Sequence, residues 1–277
     1  MGLTIYSYDQ SLTSQRLLYK QTTTLNNLAE QLSTSYKINS ASDNASGLMI
    51  SETLLTNYSG TLMARANIED TNSLLSTAEA DLTSIKENLQ AIRDLSIQGG
   101  NDTNSQTERD AINSEIQSRL DEINRISNYS SYNDKKLLDG SLTSLNVQTG
   151  SESDDTLTID GSVLTDASTS SLGITVDATS ITTHEEYDTL REEVDTALES
   201  TEERISNIGS YSSQLNDTNL SLSITSGNLL ASESQIRDTD IASAMSYMVN
   251  LQILQKASMD VLYLSNKNMS KYSELIQ

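Results

Sequence analysis

Leu75-Ser76-Thr77-Ala78-Glu79-Ala80-Asp81-Leu82-Thr83-Ser84-Ile85-Lys86-Glu87-Asn88-Leu89-Gln90-Ala91-Ile92 is the stretch that decides the fold. Its apolar residues Leu75, Ala78, Leu82, Ile85, Leu89 and Ile92 recur in 3-4-3-4-3 steps, the seam of a helix packed lengthwise against another helix. Glu79, Asp81, Lys86, Glu87 and Asn88 fill the intervening positions and suit a solvated face. No proline interrupts the pattern, and Gly99-Gly100 ends it. Traced back to Leu62, the helix runs about 37 residues, roughly 55 Å at 1.5 Å per residue. A stripe that narrow and that long needs equally long partners, from this chain or from its neighbours.

Outward from this seam the pattern stays helical. Leu18, Leu25, Leu28 and Leu32 mark a stripe within residues 1–36, where Thr22-Thr23-Thr24 lowers the intrinsic helix propensity. The polar run Asn39 to Asn44 breaks the pattern and makes a joint, with Ser42 or Asp43 expected to cap the next helix. After Gly99-Gly100-Asn101-Asp102, a helix from near Gln106 carries Ile112, Ile116, Leu120, Ile123 and Ile126 and can fold back on the seam. From Lys135 to Thr183 the runs shorten and alternate at Leu145-Asn146-Val147, Leu157-Thr158-Ile159 and Gly173-Ile174-Thr175-Val176, which reads as β-hairpins or irregular loop. Helical spacing returns at Glu185, through Leu190, Val194, Leu198, Ile205, Ile208, Leu215 and Leu222. It continues into a richer stripe at Ile236, Ile241, Met245, Met248, Leu251 or Ile253, Leu254, Val261, Leu262 and Leu264. The expected fold class is mainly α: long paired helices from both termini in a coiled-coil-like bundle, with a small β-hairpin-rich insert.

Composition agrees with this. Hydrophobic residues make up 35% of the 277, below the usual 45% or so, which argues against a thick multilayer core. The chain has no Pro, Cys, Trp or Phe, so long helices go unbroken, and disulfides and thiolate chemistry are excluded. The net charge of −22 is unevenly spread. Residues 1–40 and 241–277 each carry a net +1, whereas 151–203 hold 15 acidic residues and a single Arg. Near-neutral ends can pack together, and the acidic middle must face water. No basic patch invites nucleic acid or an anionic membrane. No apolar run approaches a membrane span, and no signal peptide is visible, so a cytoplasmic location is the default on composition alone.

Chemistry-bearing constellations are sparse. His184-Glu185-Glu186-Tyr187-Asp188 starts like a zinc-peptidase helix, but Asp188 stands where the second His is needed and the chain has one His. Ser151 to Asp155 and Asp160 match no EF-hand spacing and read as a solvated acidic turn. Met245, Met248, Met259 and Tyr263 read as core rather than a cofactor box. No nucleophile–base or metal set supports a hydrolase, so no catalytic residue and no cofactor is expected.

The motifs resemble those of bacterial flagellins. Lys37-Ile38-Asn39-Ser40-Ala41-Ser42-Asp43-Asn44-Ala45-Ser46-Gly47-Leu48 is similar to the family's joint R-I-N-S-A-x-D-D-A-A-G-L. Leu74 to Glu79 and Leu89 to Gln98 resemble its central helix, and Asn133-Asp134-Lys135-Lys136-Leu137-Leu138-Asp139-Gly140 its F-N-G-K-K-L-L-D-G turn. Ile236-Arg237-Asp238-Thr239-Asp240-Ile241-Ala242 and Gln252-Ile253-Leu254-Gln255-Lys256-Ala257 resemble I-R-D-A-D-F-A and Q-I-L-Q-Q-A. The chain departs from the family at Asn44, at Ile241, and at Leu264 to Met269, where N-L-P-Q is missing.

The resemblance implies a structural subunit that self-assembles into the flagellar filament, exported by a type III system without a cleaved signal and therefore extracellular. It implies inner-tube helices from 1–40 and 236–277, an outer-tube helical domain from 41–140 and 184–235, and an exposed insert at 141–183. The expected subunit-packing residues are Leu18, Leu25, Leu28, Leu32, Leu75, Leu82, Ile85, Leu89, Ile92, Ile241, Met245, Met248, Leu254 and Val261. Implied partners are further copies of the chain, an export chaperone, and the filament cap and hook-junction proteins. Arg93, Leu95 and Glu115 match residues by which an innate immune receptor detects flagellins, but Ala91 replaces an Arg, which implies weakened recognition. Thr165, Ser168, Thr169, Ser170 and Ser171 are either glycosylation acceptors or an unmodified loop. The alternatives are a hook–filament junction protein and a non-flagellar coiled-coil interaction protein.

Overall fold

The computed structural model describes residues 2–274; Met1 and residues 275–277, which the sequence reading placed in the terminal helices, lie outside the described residues. The element order is α1 (Gly2–Thr34), α2 (Ala41–Gly99), α3 (Gln106–Tyr129), β1 (Ser131–Tyr132), β2 (Lys135–Lys136), β3 (Ser144–Gln148), β4 (Thr156–Asp160), α4 (His184–Arg237) and α5 (Ile241–Glu274). The chain is mainly α, and it divides into two units: 1–57 with 228–277, and 58–227.

The unit of residues 58–227 is a three-helix bundle with two β-hairpins. The seam is its centre: Leu75, Ala78, Leu82, Ile85, Leu89 and Ile92 have no solvent exposure. They share one core with Ile116 and Ile123 of α3 and with Leu190, Val194, Ile208 and Leu215 of α4. Side-chain pairs fix the direction. Arg119 with Asn88 and Ser130 with Asp81 run α3 antiparallel to α2. Arg93 with Asp195, Lys86 with Glu202, and Arg65 with Asn219 do the same for α4. Midway, Ser212 donates to Asn72, whose own amide donates to Asn216. An apolar seam alone tolerates a one-turn slip, whereas each of these polar pairs has one register.

Loops close the bundle with specific chemistry. Ser105 and Glu108 form a reciprocal capping box at the start of α3. Asn133 and Asp134, both at positive φ, make the two-residue turn between β1 and β2. This hairpin was not anticipated, although Asn-Asp is a turn signal. Strands β3 and β4 pair antiparallel, with Val147 and Ile159 buried on the core face. The third alternating run, Gly173 to Val176, forms no strand. The N–H groups of Thr175 and Val176 and the Thr175 hydroxyl donate to the Glu193 carboxylate of α4, which replaces a strand partner.

In the other unit α1 and α5 pack along one another around Leu28, Ala244 and Leu251, with Leu25, Leu32 and Met248 part-buried beside them. The α2 helix kinks at Asn44, which has extended φ/ψ and accepts the Gly47 N–H at 2.9 Å. The cap is thus Asn44, not the expected Ser42 or Asp43. Asp43 faces the other way and accepts from the N–H groups of Asn39 and Ser40 and from the Ser40 hydroxyl. The helical pattern expected from Glu185 with few breaks is interrupted at 238–240, after which the Asp240 carboxylate caps α5 through the Ser243 N–H.

Candidate assembly surface

The α5 helix is apolar on more sides than α1 covers. Successive residues turn by about 100° around a helix. Ala244, Met248 and Leu251 face α1. Ile241, Met245, Val249 and Ile253 wrap one flank and Tyr247, Leu254 and Val261 the other, and all seven are exposed. Tyr263 and Leu264 are exposed further along, at 69% and 57%. A helix that is apolar all round belongs in a core, and among the described residues this one packs along α1. Among the described side chains of α1, residues 9–34, exposed positions are by contrast mostly polar, among them Thr13, Gln15, Lys20, Asn26 and Glu30, with Leu17 and Tyr19 as large apolar exceptions. Met245, Met259 and Tyr263, read from the sequence as core, are therefore surface residues of the subunit; α1 is too narrow to cover them.

The contact between α1 and α5 changes character along its length. The apolar cluster lies at residues 25–32 and 244–251. Toward the chain ends it gives way to Gln255 donating to Thr22, and to Ser11 donating to Asn266. Gln21 is buried there and its Oε1 has no partner. Thr22, Thr23 and Thr24 return their hydroxyls to the carbonyls of Leu18, Tyr19 and Lys20, satisfying themselves inside the helix.

The two joints of this unit lie side by side. The Lys37 N–H donates to the Arg237 carbonyl at 2.7 Å and the Thr239 N–H to the Ser35 carbonyl at 2.8 Å. The Arg237 guanidinium sits 4.5 Å from the Tyr36 ring centroid, 3.4 Å from Glu52 and 4.0 Å from buried Glu233. The N–H groups of Ser40 and Asn39, then the Ser40 hydroxyl, hold the Asp43 carboxyl below the usual carboxylate range.

Positions expected to pack subunits divide between the two units. Leu28 is buried between α1 and α5; Leu18, Leu25, Leu32 and Met248 are half-buried; Ile241, Met245, Leu254 and Val261 are exposed. Leu75, Leu82, Ile85, Leu89 and Ile92 are wholly enclosed by their own chain, so no side-chain area is left for a neighbour. Of the receptor-like set, Arg93 is paired with Asp195 at 2.6 Å and Glu115 with Arg119 at 3.0 Å, while Leu95 and Ala91 are half-buried. In the Ser/Thr run only Ser170 and Ser171 are exposed. The Thr169 hydroxyl is spent on Asn124, that of Ser168 on Asp166, and Thr165 is half-buried with its carbonyl facing Arg204.

His184 starts α4, its Nδ1 bonded to the Gly100 carbonyl at 2.6 Å and its Nε2 3.3 Å from Asp188. Among the described residues no group of three or more His, Cys, Asp or Glu could hold a metal ion, and no helix is long and apolar enough to cross a membrane.

Residues 5–143 match the model of the bacterial flagellin N-terminal helical region, and residues 192–271 that of the C-terminal helical region. The chain belongs to the bacterial flagellin family. A flagellin of Halalkalibacterium halodurans is 33% identical over 90% of both chains. The B-type flagellin of Pseudomonas aeruginosa is 39% identical over 62% of this chain, a match spanning only 35% of its own length. The crystal structure of Bacillus cereus flagellin superposes with a TM-score of 0.50 and 28% identity, covering 57% of this chain and 88% of that one. A protein described as flagellar hook-associated, from Vibrio parahaemolyticus, shares the fold at 17% identity with a TM-score of 0.61. Flagellins are structural subunits of the flagellar filament, and the motif-based reading of the sequence agrees with membership.

Proposed function

We propose that this chain polymerises through the α1–α5 pair into a flagellar filament used for swimming, outside the cell. The single observation behind this is α5: apolar on both flanks, covered on one side. In this reading residues 1–40 and 236–277 form the inner tube, 41–140 and 184–235 the outer tube, and 141–183 an outward insert. Exposed Ile241, Met245, Leu254 and Val261 pack against other copies. Head-to-tail contacts that do not close give a helical polymer. Before assembly the bare flanks of α5 are the natural grip for an export chaperone; export is by the type III route without a cleaved signal, and the cap and hook-junction proteins are the partners at the filament ends. Ala91 in place of Arg, together with Arg93 already paired to Asp195, supports weakened recognition by the innate receptor. If the outer loop is glycosylated, Ser170 and Ser171 are the accessible acceptors.

The test is negative-stain electron microscopy of purified protein under salting-out conditions, which strengthen apolar burial. Long uniform tubes are the expected result. Monomers or short caps would instead favour a hook–filament junction protein.

A further inference from the structure

Methionine is the residue to follow. With no Cys and no Trp in the chain, its seven methionine thioethers are the softest oxidisable groups. Among the described residues four are exposed: Met49, Met63, Met245 and Met259, at 72%, 61%, 55% and 47%. Two stand apart by position. Met245 and Met259 lie 14 residues apart on α5, two full heptads, so they share one face of the helix about 21 Å apart. Ile241 and Tyr263 flank them on that face, both exposed. Met248, one turn on but toward α1, is half-buried in the apolar cluster.

We propose that Met245 and Met259 are oxidant-sensitive modification sites that gate incorporation of the subunit, an inference that rests on the assembly reading above. A two-electron oxidant such as hydrogen peroxide is the co-substrate. The thioether sulfur takes one oxygen, the O–O bond breaks, the sulfoxide S=O forms and water leaves. The thioether is oxidised by two electrons and the peroxide reduced by two. The product is polar and needs a hydrogen-bond donor. A neighbour packed on this face supplies none if it is apolar, so the oxidised subunit is rejected. Once polymerised, the same burial shields both sulfurs, and the sites respond only in the free subunit.

The experiment treats free subunits and preformed filaments with hydrogen peroxide, maps the added oxygen by peptide mass spectrometry, and measures the protein concentration needed for polymerisation under salting-out conditions. Free wild-type protein is expected to oxidise at both sites and to need about a hundredfold more protein to polymerise, about tenfold for each poorly desolvated sulfoxide. Filaments are expected to keep Met245 and Met259 reduced. Treatment with both methionine sulfoxide reductases is expected to restore polymerisation. The Met245→Leu/Met259→Leu variant, close in volume, sets its own baseline, and the protein concentration it needs to polymerise is expected to be the same before and after peroxide, even with Met49 and Met63 oxidised. Unchanged polymerisation of protein carrying both sulfoxides overturns this inference alone, as does equal loss in the oxidised double variant. Failure of untreated protein to polymerise overturns the assembly reading and this inference with it.

Discussion

Gly99 ends the seam helix for a spatial reason. A Cβ there would meet the Tyr187 ring at 2.4 Å. Tyr187 is buried and donates its hydroxyl to Asn113 at 2.6 Å, and the Asn113 amide donates to the Ile181 carbonyl. The pair Gly99-Gly100 was legible as a helix stop, but the ring pressed against it was not, because nothing local links residues 99, 113 and 187. Gly99→Ala is expected to lower unfolding free energy by about 1–3 kcal/mol in a urea titration, the usual cost of overpacking. Tyr187→Phe leaves Asn113 half-paired and is expected to cost a similar amount. Arg237 is the corresponding residue of the other unit. Arg237→Ala removes the cation from Tyr36 and leaves buried Glu233 without a counter-charge. The expected outcome is faster amide exchange at Lys37 and Thr239, whose N–H groups tie the joints together.

Element ends in this protein are held by carboxylates. Glu108 of α3 reaches back to accept the Ser105 N–H and Glu186 of α4 the Thr182 and Thr183 N–H groups, all just ahead of their helices, while Asp160 and Asp177 accept N–H groups inside the two 3-10 turns, residues 161–164 and 178–180. Those hydrogen bonds, largest among them the Ser105 N–H, the Thr182 N–H, the Ser162 N–H and the Thr179 hydroxyl in turn, hold all four below the ordinary carboxylate range. A depressed value means stabilisation that is complete above the unfolded pKa and is lost as pH falls through the folded one. Thermal unfolding is therefore expected at steadily lower temperature on acidification below about pH 4; an unchanged melting temperature down to pH 3 would contradict it. Helix existence was readable from apolar spacing in every case, whereas the caps were not fully so. Ser40, Ser42, Asp43 and Asn44 all offer side-chain oxygens within five residues. Only the extended backbone at Asn44 selects the one that caps.

For the molecule as a whole, charge and apolar surface oppose one another. At −22, free subunits repel, and that repulsion is screened within about 10 Å at 0.1 M salt. Raising salt is expected to lower the protein concentration needed for polymerisation, as read by light scattering. A chain truncated after residue 237 is expected to form no polymer at any salt. Its 58–227 unit keeps every core residue named for it, so the melting of that unit is expected to stay unchanged by calorimetry.

The sequence alone determined the helical class, the seam and the family, because apolar period and local motifs are properties of neighbours along the chain. Tertiary structure decided which stripe is spent inside the subunit and which is left over. Both Leu75–Ile92 and Ile241–Val261 read as packing seams, and periodicity is blind to the number of partners. The first meets two long helices of its own chain and disappears from solvent; the second, among the described residues, meets the narrow, largely polar α1 and keeps its flanks bare. Burial is a property of what arrives from elsewhere in the chain, which no local pattern encodes.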